Sequence, residues 1–178
     1  MKESSKSALG GIIAALSVSI MLLTYISPFM VYAAPAFAGV LLLIIHEEAG
    51  TGWAFGTWAA VSILSMVLIA DKESSLYYIL IFGLYPLLED FLRRKIRLLI
   101  VRVAVKLLIF NASLAVTIAL ASFVFHVDYS EFAEKAGWLV ITFLILMNVF
   151  FFIYDFLLRV LRRLYILKLH KKLLKLFK

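Results

Sequence analysis

The sequence predicts an all-α integral membrane protein with six transmembrane helices, on the strength of three observations. First, 65% of the 178 residues are hydrophobic and the mean hydropathy is +1.05, whereas an ordinary soluble domain is roughly 45–50% apolar. Second, the apolar residues form continuous runs, not the alternating pattern of a membrane β-barrel. Third, the chain accommodates about six runs of roughly 20 residues, the length that crosses a bilayer core about 30 Å thick.

The predicted spans follow one another along the chain with short polar breaks. They cover residues 8–25, 29–46, 53–70, 74–92, 102–125 and 136–158. The breaks are residues 25–28, 46–52, 71–74, 93–97 and 126–135. We therefore assign residues 1–158 to a six-helix transmembrane domain. Apolar and basic residues interleave at helical spacing in residues 159–178, which predicts a basic, amphipathic cytoplasmic tail that extends the sixth helix.

The distribution of Lys and Arg predicts the orientation of these spans. Sixteen of the 18 basic residues fall on one side of the predicted topology, and only Lys72 and Lys135 fall on the other. Because basic residues accumulate in cytoplasmic loops, both termini are expected in the cytoplasm. In so apolar a chain, the net charge of +7 favours membrane lipid as a partner and not nucleic acid.

Small residues recur every four positions on the first span, at Ser7, Gly11, Ala15 and Ser19, and a second row holds Gly10 and Ala14. Small side chains let another helix approach closely, which matters because lipid provides no hydrophobic drive for helix association. Two interpretations stay open: packing inside this bundle, or a docking face for a separate membrane subunit.

The predicted outer side carries three consecutive charges, at Asp71, Lys72 and Glu73, where a plain turn needs one or two polar residues. The aromatic residues Tyr77, Tyr78 and Trp138 lie near the same membrane boundary. Each of them also fits an interfacial aromatic belt. Together, charges of both signs beside aromatic surfaces suggest the rim of a small-molecule site.

Two amides, Asn111 and Asn148, fall near mid-membrane in spans five and six, where an unpaired amide is costly. They must face the bundle interior, either as an interhelical hydrogen bond or as the floor of an outward-opening pocket. Gly83 and Pro86 interrupt span four at a depth between the outer rim and these amides. A break there would free backbone groups to face a cavity.

The predicted inner side offers no recognisable catalytic pattern. In the stretch HEEAG the position four residues after His46 is Gly50, so a helical zinc pair is missing and a turn is expected. Three acid–base pairs four residues apart suggest ordinary helix-end pairing, and two basic residues of span five suggest contact with lipid headgroups. These are Glu89–Arg93, Asp90–Arg94 and Asp155–Arg159, and then Arg102 and Lys106. We expect no enzyme activity, no metal and no cofactor.

The chain resembles the S components, the substrate-binding membrane subunits of energy-coupling-factor vitamin transporters. The resemblance covers nearly the whole chain, including the stripe SALGGIIAALS and the loop ADKESS leading into LYYILIFGLYP. It implies a prokaryotic plasma-membrane protein that docks a coupling subunit, itself joined to ATPases, through Gly11, Ala15 and their neighbours. It also implies a solute site formed by a further set of residues: Asp71, Lys72, Glu73, Tyr77, Tyr78, Asn111 and Asn148.

Two functions follow. The first is a binding subunit of an importer for a micronutrient such as a vitamin. The second is a non-transporting scaffold of the cell envelope that recruits partners through helix one and the basic tail.

Overall fold

The structure, a computed structural model, describes residues 2–125 and 137–169. Its regular elements are all helical in this part of the chain, and six segments are long and apolar enough to cross a membrane. The helices are α1 (Glu3–Met21), α2 (Met30–Ala49), α3 (Thr51–Leu68), α4 (Lys72–Tyr77), α5 (Tyr85–Lys95), α6 (Leu99–Phe125) and α7 (Gly137–Leu164). A 3₁₀ turn extends α1, and α4 and α5 together make the fourth span.

Two apolar clusters organise the bundle. The first lies among α1, α2 and α3, where residues such as Met21, Leu42 and Val61 are fully buried. The second joins α2 and the fourth span to α6 and α7 through Phe82, Phe110 and Phe151. Phe110 and Phe151 stack with their ring centroids 4.4 Å apart. The fourth span contributes to both clusters, because Tyr78 packs in the first and Tyr77 in the second.

The junction of α2 and α3 corrects the predicted break at residues 46–52. The two helices are separated by Gly50 alone, whose φ of 90° favours a residue without a Cβ. His46, Glu47 and Glu48 therefore lie in the last turn of α2 and not in a turn between spans. These polar residues remain in the helix because Glu47 pairs with Arg162 of α7 and Glu48 accepts a hydrogen bond from Tyr165, just after α7.

The fourth span is interrupted where Gly83 and Pro86 predict it. A π-helical segment, Tyr78–Phe82, separates α4 from α5. Because Pro86 has no N–H, the Phe82 carbonyl loses the helical donor four residues on. The Tyr154 hydroxyl of α7 donates to that carbonyl over 2.9 Å, and the Trp58 indole donates to the Ile79 carbonyl over 3.3 Å. The freed backbone groups therefore meet side chains of neighbouring helices.

Helices α6 and α7 lie at the edge of the bundle, and α6 begins at Leu99, three residues before its predicted span. Only a single stripe of α6 is buried, at Lys106, Phe110, Leu114, Thr117 and Ala121. Most other apolar residues of the two helices are exposed, as expected of surfaces that face lipid or a membrane partner. The tail prediction is only partly within the described residues: α7 continues unbroken to Leu164 and a π-helical turn follows to Leu169, while residues 170–178 lie outside them.

Candidate functional site

The two small-residue rows of α1 have different surroundings. Gly10 and Ala14 are buried against the neighbouring helices, and a β-carbon at Gly10 would lie 3.1 Å from the Thr57 hydroxyl of α3. Ser17, also buried, donates to the Ala38 carbonyl of α2 at 3.5 Å. This row lets α1 approach α2 and α3 closely, which is the packing that small residues permit in membranes.

The row that begins at Ser7 lies on the exposed side of α1. Ser7, Gly11, Ala15 and Ser19 are all exposed. A β-carbon at Gly11 would meet no other atom within 4 Å. Ile12 and Leu16 beside this row are each about half exposed, at 52% and 50%. We call these four small residues the α1 face. It is a surface of small side chains on a helix long enough to cross a membrane, and no described element of the chain packs over Gly11.

The residues expected at a solute rim cap helices in the structure. Asp71 is the N-cap of α4, and its carboxylate accepts from the Glu73 and Ser74 amides at 3.1 and 3.4 Å. The Lys72 ammonium donates to the Met66 and Ile69 carbonyls at 2.6 and 2.7 Å, at the C-terminus of α3. A cation at a helix C-terminus satisfies free carbonyls and opposes the helix dipole. Both charges thus stabilise the α3–α4 corner.

The aromatic residues predicted for the same site do not converge on one point. Tyr77 donates to the Glu73 carboxylate at 3.1 Å and packs against Tyr32, with ring centroids 5.1 Å apart. Tyr78 is fully buried in the other apolar cluster. Trp138 is 66% exposed at the start of α7. The structure therefore brings Asp71, Glu73 and Tyr77 together and separates Tyr78 from them.

The two amides pair with each other. Asn111 donates to the Asn148 side-chain oxygen at 3.0 Å, and Asn148 donates back at 3.2 Å. Each also donates to the carbonyl four residues earlier in its own helix. Every hydrogen-bonding group of the two amides is used. Of the two alternatives that the sequence allowed, the structure therefore has the interhelical hydrogen bond and not the floor of a pocket. Apolar neighbours such as Leu114 and Met147 are buried in the same region of the bundle.

Two surface grooves have apolar linings. One of about 360 Å³ follows α7 alone, past Asn148, Val149 and Phe152. The other, of about 160 Å³, lies between α2 and α7 at Ala36 and Tyr154. Neither is lined by the residues expected at the solute rim, and Asn148 is the one predicted site residue that lines either.

The opposite end of the bundle holds a buried network of charges. Lys106 of α6 is 5% exposed and its ammonium lies 2.6 Å from the Asp155 carboxylate of α7 and 3.7 Å from Glu89 of α5. The Tyr85 hydroxyl also donates to Asp155. This corrects the expectation that Lys106 reaches the lipid headgroups, because two carboxylates inside the bundle hold it there. Glu89 likewise pairs with α6 and α7 and not with Arg93.

Arg162 extends this network to α2. Its guanidinium lies 2.8 Å from Asp90, 2.5 Å from Glu47 and 3.5 Å from Glu89. Asp90 is 5% exposed and also pairs with Arg93 and Arg94 at 2.9 and 2.8 Å. The ends of α2, α5, α6 and α7 are thus joined by ion pairs. Buried charges of this kind persist only when paired, so the network fixes how the four helices meet.

The sequence predicted the pairs Asp90–Arg94 and Asp155–Arg159, and both are present, but it did not predict the network that joins the four helices. The signal for it was present: Glu89, Asp90, Lys106 and Asp155 all fall inside apolar spans at the same end of the predicted topology. Ionisable residues inside spans face the bundle interior and pair with one another.

The architecture thus defines a multi-pass helical membrane protein with six candidate spans. No protein-family model, no curated protein and no solved structure matches the chain.

Proposed function

We propose that this chain is a non-catalytic membrane subunit that docks a second membrane protein through the α1 face. This is the scaffold function that the sequence allows, with helix one as the contact. The observation that carries the proposal is the exposure of all four small residues of that face, Ser7, Gly11, Ala15 and Ser19.

The same helix supplies the physical argument. Its other small-residue row packs closely against α2 and α3, so α1 already uses this mode of association once. In lipid, helices associate by van der Waals packing between close backbones, and a row of small residues makes that approach possible. A membrane helix with complementary side chains therefore fits the α1 face better than lipid tails do.

The residues predicted to form a solute rim support an importer less well than the α1 face supports a docking subunit. Lys72 caps α3, Asp71 caps α4, and the two asparagines satisfy each other. A solute that used these groups would have to replace hydrogen bonds that already hold the fold. An importer subunit is the second candidate for one reason: the family resemblance implies that a coupling subunit docks on helix one, where the α1 face lies.

Substitution of two face residues tests docking. Gly11→Leu with Ala15→Leu is expected to leave folding intact, because both positions are exposed. It should reduce co-purification of the membrane partner by about tenfold or more, since bulky side chains prevent close helix approach. The measurement is quantitative mass spectrometry after affinity purification from native membranes. The matched control is Gly56→Leu on α3, where a β-carbon also meets nothing within 4 Å. Equal partner recovery from the two variants would rule out the α1 face.

Substitution of Lys72 separates the scaffold from the importer. Lys72→Ala removes two hydrogen bonds at the end of α3, so we expect the free energy of unfolding to fall by about 1–2 kcal/mol. Native mass spectrometry of the purified wild-type protein should show no bound solute if the scaffold proposal holds. A co-purifying solute whose affinity, measured by calorimetry, falls tenfold or more in Lys72→Ala would instead establish the importer.

A further inference from the structure

The corner between α5 and α6 differs from the rest of the charged end of the bundle. Of the basic residues that the structure describes there, Arg93, Arg94, Lys106, Arg159 and Arg162 all have carboxylate partners. Among the basic residues without an ion pair in the described part of the chain, Lys95, Arg97 and Arg102 lie together at this corner, whereas Lys2 and Arg163 lie singly elsewhere. These three lie within eight positions of one another. Positive charge that the network does not neutralise is therefore concentrated at this corner.

The same corner exposes a run of apolar side chains. Leu98, Leu99 and Ile100 are 70%, 60% and 84% exposed, and Val101 is 45% exposed. Phe91 is 54% exposed, and the Lys95 ammonium lies 5.2 Å from the centre of its ring. Unpaired cations and exposed apolar side chains thus alternate over a short stretch at the end of two spans. We call residues 91–102 the α5–α6 corner.

The kind of partner that covers this corner can be inferred from its position at the end of two spans. An acidic soluble protein would match the charges but would leave water in contact with Leu98 and Ile100. A phospholipid matches both features, because its phosphate lies at the level where spans end and its acyl chains lie beside the apolar residues. Arginine donors suit phosphate oxygens in geometry as well as charge.

We propose that the α5–α6 corner is a binding site for an anionic phospholipid, with Arg97 and Arg102 contacting the headgroup phosphate. Lys95 contributes a third positive charge beside them. Leu98, Leu99 and Ile100 contact the acyl chains. The site is separate from the α1 face, so it does not depend on the docking function.

Lipid titration tests the site. The purified full chain in mild detergent is titrated with phosphatidylglycerol and with phosphatidylcholine of the same acyl chains, and the bound fraction is read by native mass spectrometry. The wild type should prefer phosphatidylglycerol. The double variant Arg97→Gln with Arg102→Gln should weaken phosphatidylglycerol binding by about thirtyfold, the combined effect of two basic side chains at a membrane surface. Arg97→Lys with Arg102→Lys keeps the charge but loses the paired donors of arginine, so it should weaken binding less than the Gln variant does.

The matched control removes the same charge elsewhere at this end. Lys2→Gln with Arg163→Gln alters two exposed residues, one just before α1 and one near the end of α7, and should leave lipid binding unchanged. Three results would overturn the proposal: equal losses in the two double variants, which would indicate net charge alone; no preference for phosphatidylglycerol; or release of the lipid by excess inorganic phosphate, which would indicate a free-phosphate site. A melting temperature for each variant separates lost binding from lost folding.

Discussion

Replacement of Lys106 by Met is expected to lower the free energy of unfolding by about 3 kcal/mol or more. The side chain is 5% exposed, so its ammonium is the main neutralising charge for the buried Asp155 carboxylate 2.6 Å away. Removal of one partner from a buried pair leaves the other charge without compensation. Tyr85 and Arg159 still contact Asp155 in the variant, and these contacts limit the loss of stability. Unfolding in a titration with sodium dodecyl sulfate, followed by circular dichroism, measures the effect.

Two further variants make the Lys106 result specific. Arg102→Met lies one turn earlier on α6 and removes the same charge from a residue without an ion pair in the described part of the chain. It should change stability by less than about 1 kcal/mol. The double variant Lys106→Met with Asp155→Asn should lose less than the sum of its single variants, by about 1–3 kcal/mol. Additive losses would show that the two residues are not coupled and would remove the network from the account of this fold.

Gly39→Val should be equally damaging for a steric reason. A β-carbon at Gly39 would overlap the Phe82 carbonyl and lie 2.6 Å from the Tyr154 hydroxyl. These two atoms form the hydrogen bond that compensates for Pro86, so the substitution both overpacks the bundle and separates a buried donor from its acceptor. We expect a loss of about 3 kcal/mol or more. The melting temperature in detergent should fall accordingly.

Gly11→Val is the matched control for Gly39→Val. It places the same side chain in another helix, where a β-carbon meets nothing within 4 Å, and it should melt close to the wild type. A Gly39→Val protein as stable as the Gly11→Val protein would mean that α2 and the fourth span are not in the close contact described above.

The physics of the bilayer explains why the spans were predictable. Continuous apolar runs must be helical to satisfy their backbone in lipid, so six spans follow from hydropathy and length. The interruption of the fourth span was equally predictable, because Pro86 has no backbone N–H to donate in any environment. Only helix ends shifted: α6 begins at Leu99, and α2 continues to Ala49 because Glu47 and Glu48 have partners on other elements.

The side-chain partners were harder to predict, for a different reason. Asp71 ahead of an apolar run is a helix-capping signal as well as a plausible ligand contact, and the sequence alone does not rank the two. Lys106 and Asp155 are 49 residues apart, so nothing local indicates that they meet. The α1 face had the opposite difficulty: spacing identified the row, but only the packing of α1 on α2 and α3 shows which row is exposed.

The docking role of the α1 face is tested most directly by cross-linking along α1. The chain contains no cysteine, so single cysteines can be placed at each position from 7 to 19 and labelled with a photoreactive maleimide in native membranes. Docking predicts cross-links to one membrane protein that peak at positions 7, 11, 15 and 19, with little reaction at the exposed position 56 on α3. A flat profile along α1, or labelling of lipid alone at positions 11 and 15, would contradict it.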